Sequence, residues 1–466
     1  MHTKRFLHAV CFLLCLALVL AGAASVLRIT HEEEGVSVRS DLESAERYPD
    51  VLVFGSSHVY TGLSPAVMFE SEGVAAHLMA SSGQPFCQTQ YLVEDQLKRH
   101  QPKVVVVDLL TGLWPAERIN DREHILMAAR GIRDPLLRAR VLTGQFGLGE
   151  GLRLFTGFYY SHSRYGELTY RDWEPHTLGK GEQIVYGVNP WERPGTAPGT
   201  VSEVPQAAFD AVDHMIEVCR ERGVELVFTL LPMAEQADAR ATAAMMRGYI
   251  EQQGGRFLDC DSDAVYDAMG LDFAADFQDI QHLNVTGQEK ASRWLAKTLK
   301  SEFGLTDHRG EPGYESWQDA VSWRSARALE KGLEGVSTLY QITSQLVQHD
   351  LSGMLVLMNV AENAAAEDNV NGGVRDNLLA LGMSPDVLYG GGTLLLKEGQ
   401  IAFQQAGSDV QCSDWIDGLP ITADLEAGKG SVQVGDLSFD HNVDMGLVIY
   451  DLTEHRLLYQ DVCYMR

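Results

Sequence analysis

Two residue classes are in short supply, and each shortage excludes something. Cysteine occurs only seven times in 466 residues, too few for a disulfide framework. Cys11 and Cys15 fall in an apolar run, while Cys87, Cys219 and Cys260 are scattered, and none has the C-x-x-C spacing of a zinc site. No metal and no cofactor is therefore expected. Cys412 and Cys463 are candidates for one bridge in the C-terminal region; the alternative is that all five cysteines beyond the apolar run are small buried hydrophobes. Basic residues are the second scarcity, with 37 Lys+Arg against 64 Asp+Glu and a formal net charge of −27. Such a surface repels nucleic acid and anionic lipid, so no nucleic-acid role is expected, whereas neutral sugars and cationic groups are compatible partners. Long biased tracts are also missing. No G-x-S-x-G elbow surrounds the serine singled out below, which argues against a lipase of the α/β-hydrolase type.

What is present is the composition of a folded chain, 45% hydrophobic and 22% charged. At 466 residues it exceeds one ordinary core, and two domains are expected. His2, Lys4 and Arg5 precede an uncharged run from Phe6 to Leu27, long enough to cross a bilayer core, which takes roughly 20 helical residues. The basic flank keeps the N-terminus cytoplasmic and sends everything after Arg28 across the membrane. Residues 1–28 are thus a membrane anchor or, since Ala21-Gly22-Ala23 fits a cleavage site, a signal peptide.

From Pro49 to Phe303 short apolar runs alternate with helical patterns. Val51–Phe54, Val104–Val107, Val224–Leu230 and Arg256–Leu258 read as strands buried on both faces. Helices are expected at 88–99, 206–222, 236–253 and 287–302, which together make a parallel sheet covered on both sides. Residues 115–203 break the alternation, with Phe155, Phe158, Tyr159, Tyr160, His162, Tyr165, Tyr170 and Trp173 among scattered glycines. This is either a functional lid or an aromatic minicore over one sheet edge. Residues 304–335 read as a polar, partly helical linker carrying Trp317 and Trp323, with Gly310-Glu-Pro-Gly313 as a breaker. Residues 336–466 form a second unit with 18 acidic and 5 basic residues and strand-like runs at Gly353–Val360, Thr393–Leu396 and Met445–Tyr450.

Two separated blocks carry chemistry. Gly55-Ser56-Ser57 directly follows a buried strand, and ligand sites of open α/β sheets lie at the carboxyl ends of strands. A small turn there exposes a hydroxyl while the following N–H groups face a developing oxyanion; the same residues also serve as ordinary turn and cap. The second block is Asp276-Phe-Gln-Asp-Ile-Gln-His-Leu-Asn-Val-Thr-Gly287. Its D-x-x-H spacing lets Asp279 orient the His282 ring and leaves Nε2 free as a base toward a serine. Alone, it is also a common helix-entry motif.

Together the blocks resemble the SGNH/GDSL hydrolase superfamily, and within it the membrane-anchored branch related to DltD and AlgX/AlgJ. The likeness spans about residues 49–303 and rests on Phe54-Gly-Ser-Ser-His-Val-Tyr-Thr-Gly-Leu-Ser-Pro65, Ser81-Ser-Gly-Gln84 and Asp279-Ile-Gln-His-Leu-Asn284. It implies a three-layer α/β/α flavodoxin-like fold with Ser57 as nucleophile, Ser56 as the alternative, Asp279 and His282 completing a triad, and the N–H groups of Ser57 and Gly83 as oxyanion donors. The family's G-x-N-D block is absent: Val107-Asp108-Leu-Leu-Thr-Gly112 stands in its place, so one donor is missing. Asn120 and Gln84 are substitutes to test, and His58 and His162 are candidate pocket residues.

Residues 336–466 resemble, more distantly, the GG-type lectin-like domain of the interleukin-like EMT inducer family in a circularly permuted order, which implies a mixed α/β or β-sandwich module that binds carbohydrate. A partner-docking or spacer module is the competing reading. The expected function is an extracytoplasmic O-acyl, and by resemblance O-acetyl, esterase or acyltransferase on a cell-envelope or secreted glycan, with a membrane acyltransferase as a candidate partner. The alternative is a catalytically silent glycan-binding or acyltransferase-partner adaptor.

Overall fold

Five short strands, apolar on both faces, form the sheet on which the candidate site is built. They are β1 (Val51–Gly55), β2 (Ala76–Ala80), β3 (Val104–Asp108), β4 (Glu225–Leu230) and β5 (Arg256–Asp259). All pair in parallel in the order β2-β1-β3-β4-β5. The computed structural model describes residues 2–27, 47–119, 121–155, 163–168, 178–195, 199–234, 237–361, 371–416, 418–426, 429–442 and 444–463. The chain is mixed α/β and divides into two units, Met1–Trp317 and Gln318–Arg466.

Side chains alternate across the strands, so one run of valines serves two cores. Leu52, Phe54, Val105, Val107 and Phe228 pack with Leu92, Val93, Val212, Met215, Met246 and Ile250. These last lie on the helices Phe86–Leu97, Gln206–Arg222 and Ala237–Gln252. Val51, Val53, Val104, Val106 and Val227 pack with Met68, Tyr266, Leu295 and Leu299, from Pro65–Glu72, Asp263–Met269 and Val285–Phe303. Each such side chain contributes about 1.5–3 kcal/mol by leaving water. In this order β2 lies on one side of β1 and β3, β4 and β5 on the other, and ligand sites of open α/β sheets lie at the carboxyl ends flanking such a switch point.

Strand β2 escaped the sequence reading because Ala76-His-Leu-Met-Ala80 is short and carries a histidine. The irregular segment expected over 115–203 is helical in its first part, over Ala116–Ile119, Arg122–Arg130, Pro135–Phe146 and Leu148–Phe155, whereas residues 178–195 and 199–203 carry no helix or strand. Leu126, Ala129, Leu142 and Leu154 hold this bundle together. Phe158, Tyr159, Tyr160, Tyr170 and Trp173 lie outside the described residues.

The segment expected as a linker over 304–335 is ordered. His308 lies 2.9 Å from Asp50 Oδ2 and 2.5 Å from Glu311 Oε2 and stacks on Tyr314. Buried Trp317 donates its indole N–H to the Ala76 carbonyl at 2.9 Å, covering the free edge of β2. The segment's polar composition hid these anchors.

In the second unit β6 (Met354–Val360), β7 (Gly392–Lys397), β8 (Gln400–Ala406), β9 (Val410–Ile416), β10 (Leu419–Glu426), β11 (Lys429–Val434), β12 (Leu437–His441), β13 (Met445–Asp451) and β14 (Arg456–Cys463) form two antiparallel sheets. Their orders are β14-β13-β6-β7-β8 and β12-β11-β10-β9. Met354, Val356, Met358 and Val360 face a helical core with Leu329, Ile342 and Leu378. Leu355 and Leu357 face the smaller sheet through Ile421, Ala423 and Val432. Cys412 belongs to that second core and Cys463 to the first, so the larger sheet separates them. The candidate bridge does not form, and the alternative holds: Cys87, Cys219, Cys260, Cys412 and Cys463 are buried free thiols.

At the N-terminus His2–Val26 is helical. Among the described residues no helix is long and apolar enough to cross a membrane.

Candidate active site

Gly55 ends β1 at a point where nothing larger fits. A methyl group there would lie 2.4 Å from Val59 Cγ2 and 3.1 Å from Asp108 Cβ. The chain turns at once into the helix Ser57–Gly62, and Ser57 opens it, so its N–H has no partner within the helix. Ser56 is buried as the N-cap, its Oγ accepting the His58 N–H at 3.4 Å. The turn thus presents Ser57 and withdraws Ser56.

The loop before the helix Val285–Phe303 brings the second block to this point. Phe277 bridges Leu283, and the Gln278 N–H donates to the His282 carbonyl at 2.9 Å, closing a tight loop around residues 278–282. Asn284 caps the helix by accepting the N–H groups of Thr286 and Gly287. Asp279 Oδ1 accepts the N–H groups of Gln281 and His282 at 2.8 and 3.0 Å, which fixes the carboxylate. Its Oδ2 then lies 2.7 Å from His282 Nδ1, and His282 Nε2 lies 2.8 Å from Ser57 Oγ. A carboxylate only accepts, so Nδ1 carries the proton and Nε2 accepts from Ser57. Burial pushes the Asp279 carboxyl up, but the His282 hydrogen bond and the two backbone donors outweigh it and hold it below its ordinary range. The His282 and Asp279 side chains are 23% and 45% exposed, so solvent reaches both.

His58 was a candidate pocket residue, and the structure removes it from the pocket. Its side chain is 1% exposed, with Nδ1 3.1 Å from Asp108 Oδ2 and Nε2 3.3 Å from the Pro232 carbonyl. Both ring nitrogens face acceptors, which requires both to be protonated. Burial pushes the imidazole down, but the charge and hydrogen bond of Asp108 outweigh it, so the pKa is raised. Asp108 also accepts the N–H groups of Leu110 and Leu231 at 3.2 and 3.1 Å. The residue after Ser57 is thereby tied to the ends of β3 and β4.

On the other side of β1, Gly55 pairs with Ala80 at the end of β2, and the Ser81 N–H donates to the Gly55 carbonyl at 3.3 Å. The loop Ser81–Pro85 starts beside the Gly55-Ser56-Ser57 turn. Gly83 has φ +53°, a left-handed conformation that favours glycine. Gln84 does not offer its carboxamide to this site. Buried, it accepts from Ser81 Oγ at 3.1 Å and donates to Thr89 Oγ1 at 3.0 Å. Asn120 and His162 lie outside the described residues.

Sequence reading missed His124. A methyl group at Gly83 would lie 2.6 Å from both Cε1 and Nε2 of its ring. The signal was available, since Asp121-Arg-Glu-His124 repeats the D-x-x-H spacing of Asp279 and His282.

The arrangement is a hydroxyl, a base and an orienting carboxylate in one hydrogen-bonded line, competent for nucleophilic attack on an electrophilic carbon. Among the described residues no group of three or more His, Cys, Asp or Glu is placed to hold a metal ion. Comparison with protein-family models and with curated proteins found no match for this chain.

Proposed function

We propose that the protein is an extracytoplasmic serine-dependent O-acyl esterase or acyltransferase whose substrate is a cell-envelope or secreted glycan, with acetyl as the acyl group. The 2.8 Å contact between Ser57 Oγ and His282 Nε2 carries this reading. Ser57 Oγ attacks the acyl carbonyl carbon as its proton passes to His282, whose positive charge Asp279 stabilises. The tetrahedral intermediate collapses, the ester C–O bond breaks, and His282 returns the proton to the leaving oxygen. Water or a sugar hydroxyl then takes the acyl group from Ser57 by the reverse steps.

The parallel order β2-β1-β3-β4-β5 with cores on both faces supports the flavodoxin-like SGNH fold, since that order is the flavodoxin one. The basic flank and the uncharged run Phe6–Leu27 support attachment to a membrane with the triad outside it. A membrane acyltransferase is the natural acyl donor for an acceptor-side transferase. The second unit contains an open cavity with Tyr340 half exposed beside Thr338, Asn371 and Asp461, a pairing of aromatic ring and polar groups that suits a sugar. This supports the lectin-like reading, and a glycan array probed with the full chain tests it.

The catalytic test is hydrolysis of p-nitrophenyl acetate by the purified full-length chain. The wild type turns over and Ser57→Ala does not. Turnover that survives Ser57→Ala rejects the nucleophile, and a folded wild type with no turnover favours the adaptor.

A further inference from the structure

We propose that Gln288 is a positioning residue of the site: its carboxamide fastens the helix that Ser57 opens to the helix that follows His282, and so sets the distance between hydroxyl and base. The inference rests on the esterase reading above, because that distance matters only to a working triad.

The helix Ser57–Gly62 has six residues. A helix that short is not stable by itself in water, so tertiary contacts decide where it sits. Ser57 is its first residue, and any tilt or slide of the helix carries Oγ along. The loop with Asp279 and His282 is held separately. The Ala234 N–H donates to the Ile280 carbonyl at 2.9 Å and the Asn284 N–H to the Asp276 carbonyl at 3.0 Å. Oγ and Nε2 thus belong to two bodies, and their separation depends on what joins them. His58 fastens the first turn of the Ser57 helix to Asp108 and Pro232. The last turn meets the His282 side.

Gln288 makes that joint. It closes the first turn of the helix Val285–Phe303, its own N–H donating to the Asn284 carbonyl at 2.8 Å, and it is 1% exposed. Its Nε2 lies 3.1 Å from the Leu63 carbonyl, 3.3 Å from that of Tyr60 and 3.1 Å from that of Gln183. Tyr60 stands in the last turn of the Ser57 helix and Leu63 is its C-cap. The final carbonyls of a helix find no partner within it, and here one buried amide answers two of them. The joint has a second member one turn on: Ser292 Oγ accepts the Ser64 N–H at 2.8 Å and donates to the Gln288 carbonyl at 2.6 Å. It has a third in Gln183, whose N–H donates to the Tyr60 carbonyl at 2.8 Å. Gln183 belongs to the segment interrupting the sheet alternation, so that segment braces the triad.

Three carbonyls converging on one buried side chain call for a donor there. An apolar replacement leaves them without this donor, and a carboxylate repels them. Either change loosens the last turn. A misplacement of about 1 Å between reacting groups can cost about 10²-fold in rate.

Purified full-length variants are compared in p-nitrophenyl acetate turnover, each with a thermal melt and a rate of fluorophosphonate labelling. Gln288→Met fills a similar volume without donors. It is expected to lower kcat by about 10²-fold and to slow labelling in parallel, with KM within about threefold of wild type. Gln288→Glu keeps the shape. Burial among carbonyls raises the pKa of a carboxyl, and the protonated form regains an O–H donor. Its kcat relative to wild type is therefore expected to fall as pH rises from about 6 to about 8.5. Leu295→Ala, a core deletion on the same helix, controls for plain loss of stability. It is expected to melt lower yet to keep kcat within about threefold of wild type below its melting temperature. A Gln288→Met variant within about threefold of wild type in kcat and labelling overturns the joint. So does an equal loss of kcat in Leu295→Ala, which marks loosening of the whole helix. Should Gln288→Met not fold, the Gln288→Glu trend decides, and a ratio independent of pH overturns the joint. A Ser57→Ala variant that turns over, or a folded wild type that does not, rejects the esterase reading and this inference with it.

Discussion

Ser57 Oγ lies 2.8 Å from His282 Nε2 although 225 positions separate them in sequence. Two tight loops produce that distance, one ending β1 and one entering the last helix of the first unit.

Asp279→Asn is expected to lower kcat by about 10⁴-fold, because a carboxamide N–H facing Nδ1 selects the wrong imidazole tautomer and removes the base from Ser57. The Asn284 cap is untouched, so the melting temperature should hardly move. Steady-state kinetics with thermal melting check both, and a loss of kcat below about tenfold contradicts the assigned orienter.

The sequence revealed this site unevenly, for physical reasons. Ser57, Asp279 and His282 stood out because their spacing relative to a valine strand and a final helix is unusual. The strands at Val51, Val104 and Glu225 were visible as continuous apolar runs. Strands β8 to β12 and β14 were missed because their apolar residues are interrupted by polar ones such as Gln, Ser and Asp, which also suit loops. His58 misled because position after the nucleophile suggests a pocket, whereas its burial depends on Asp108 and Pro232, 50 and 174 residues away. His124 was overlooked because its segment was read by its aromatics and glycines, and its helix is only nine residues long.

His58→Gln leaves the Asp108 carboxylate buried without its counter-charge, which typically costs about 3–5 kcal/mol. That corresponds to a fall in melting temperature of roughly 10 °C for a unit of this size. The wild-type pH dependence has a definite sign. His58 has a folded pKa raised above 6.5, with Asp108 and Asp261 as the carboxylates facing it. Its contribution is therefore complete below pH 6.5 and fades as pH rises through the folded value. Melting curves from pH 6 upward should show this decline in the wild type and less of it in His58→Gln; identical slopes contradict the buried imidazolium.

Gly83→Ala meets two obstacles. The left-handed backbone costs a non-glycine residue about 1–2 kcal/mol, and the methyl occupies space held by the His124 ring. The variant should melt several degrees below wild type, and a melting temperature equal to that of wild type contradicts the left-handed, ring-packed conformation of Gly83.

The buried cysteines predict inertness. Burial pushes the thiols of Cys219 and Cys463 up to about 12 and that of Cys412 up to about 11. The native protein should react slowly with thiol reagents at pH 8. Unfolded without reductant, residues 29–466 should release all five of their thiols, and reductant should not shift the melting temperature. A count of three contradicts the separation of Cys412 from Cys463.

The central claim is that Ser57 is a nucleophile activated by His282. The most direct test is labelling of the full-length protein with a fluorophosphonate, followed by mass mapping of the modified peptide. One adduct is expected, on Ser57, and it fails to form in His282→Ala. A folded protein that takes no adduct, or takes it on Ser56 or any other residue, contradicts it.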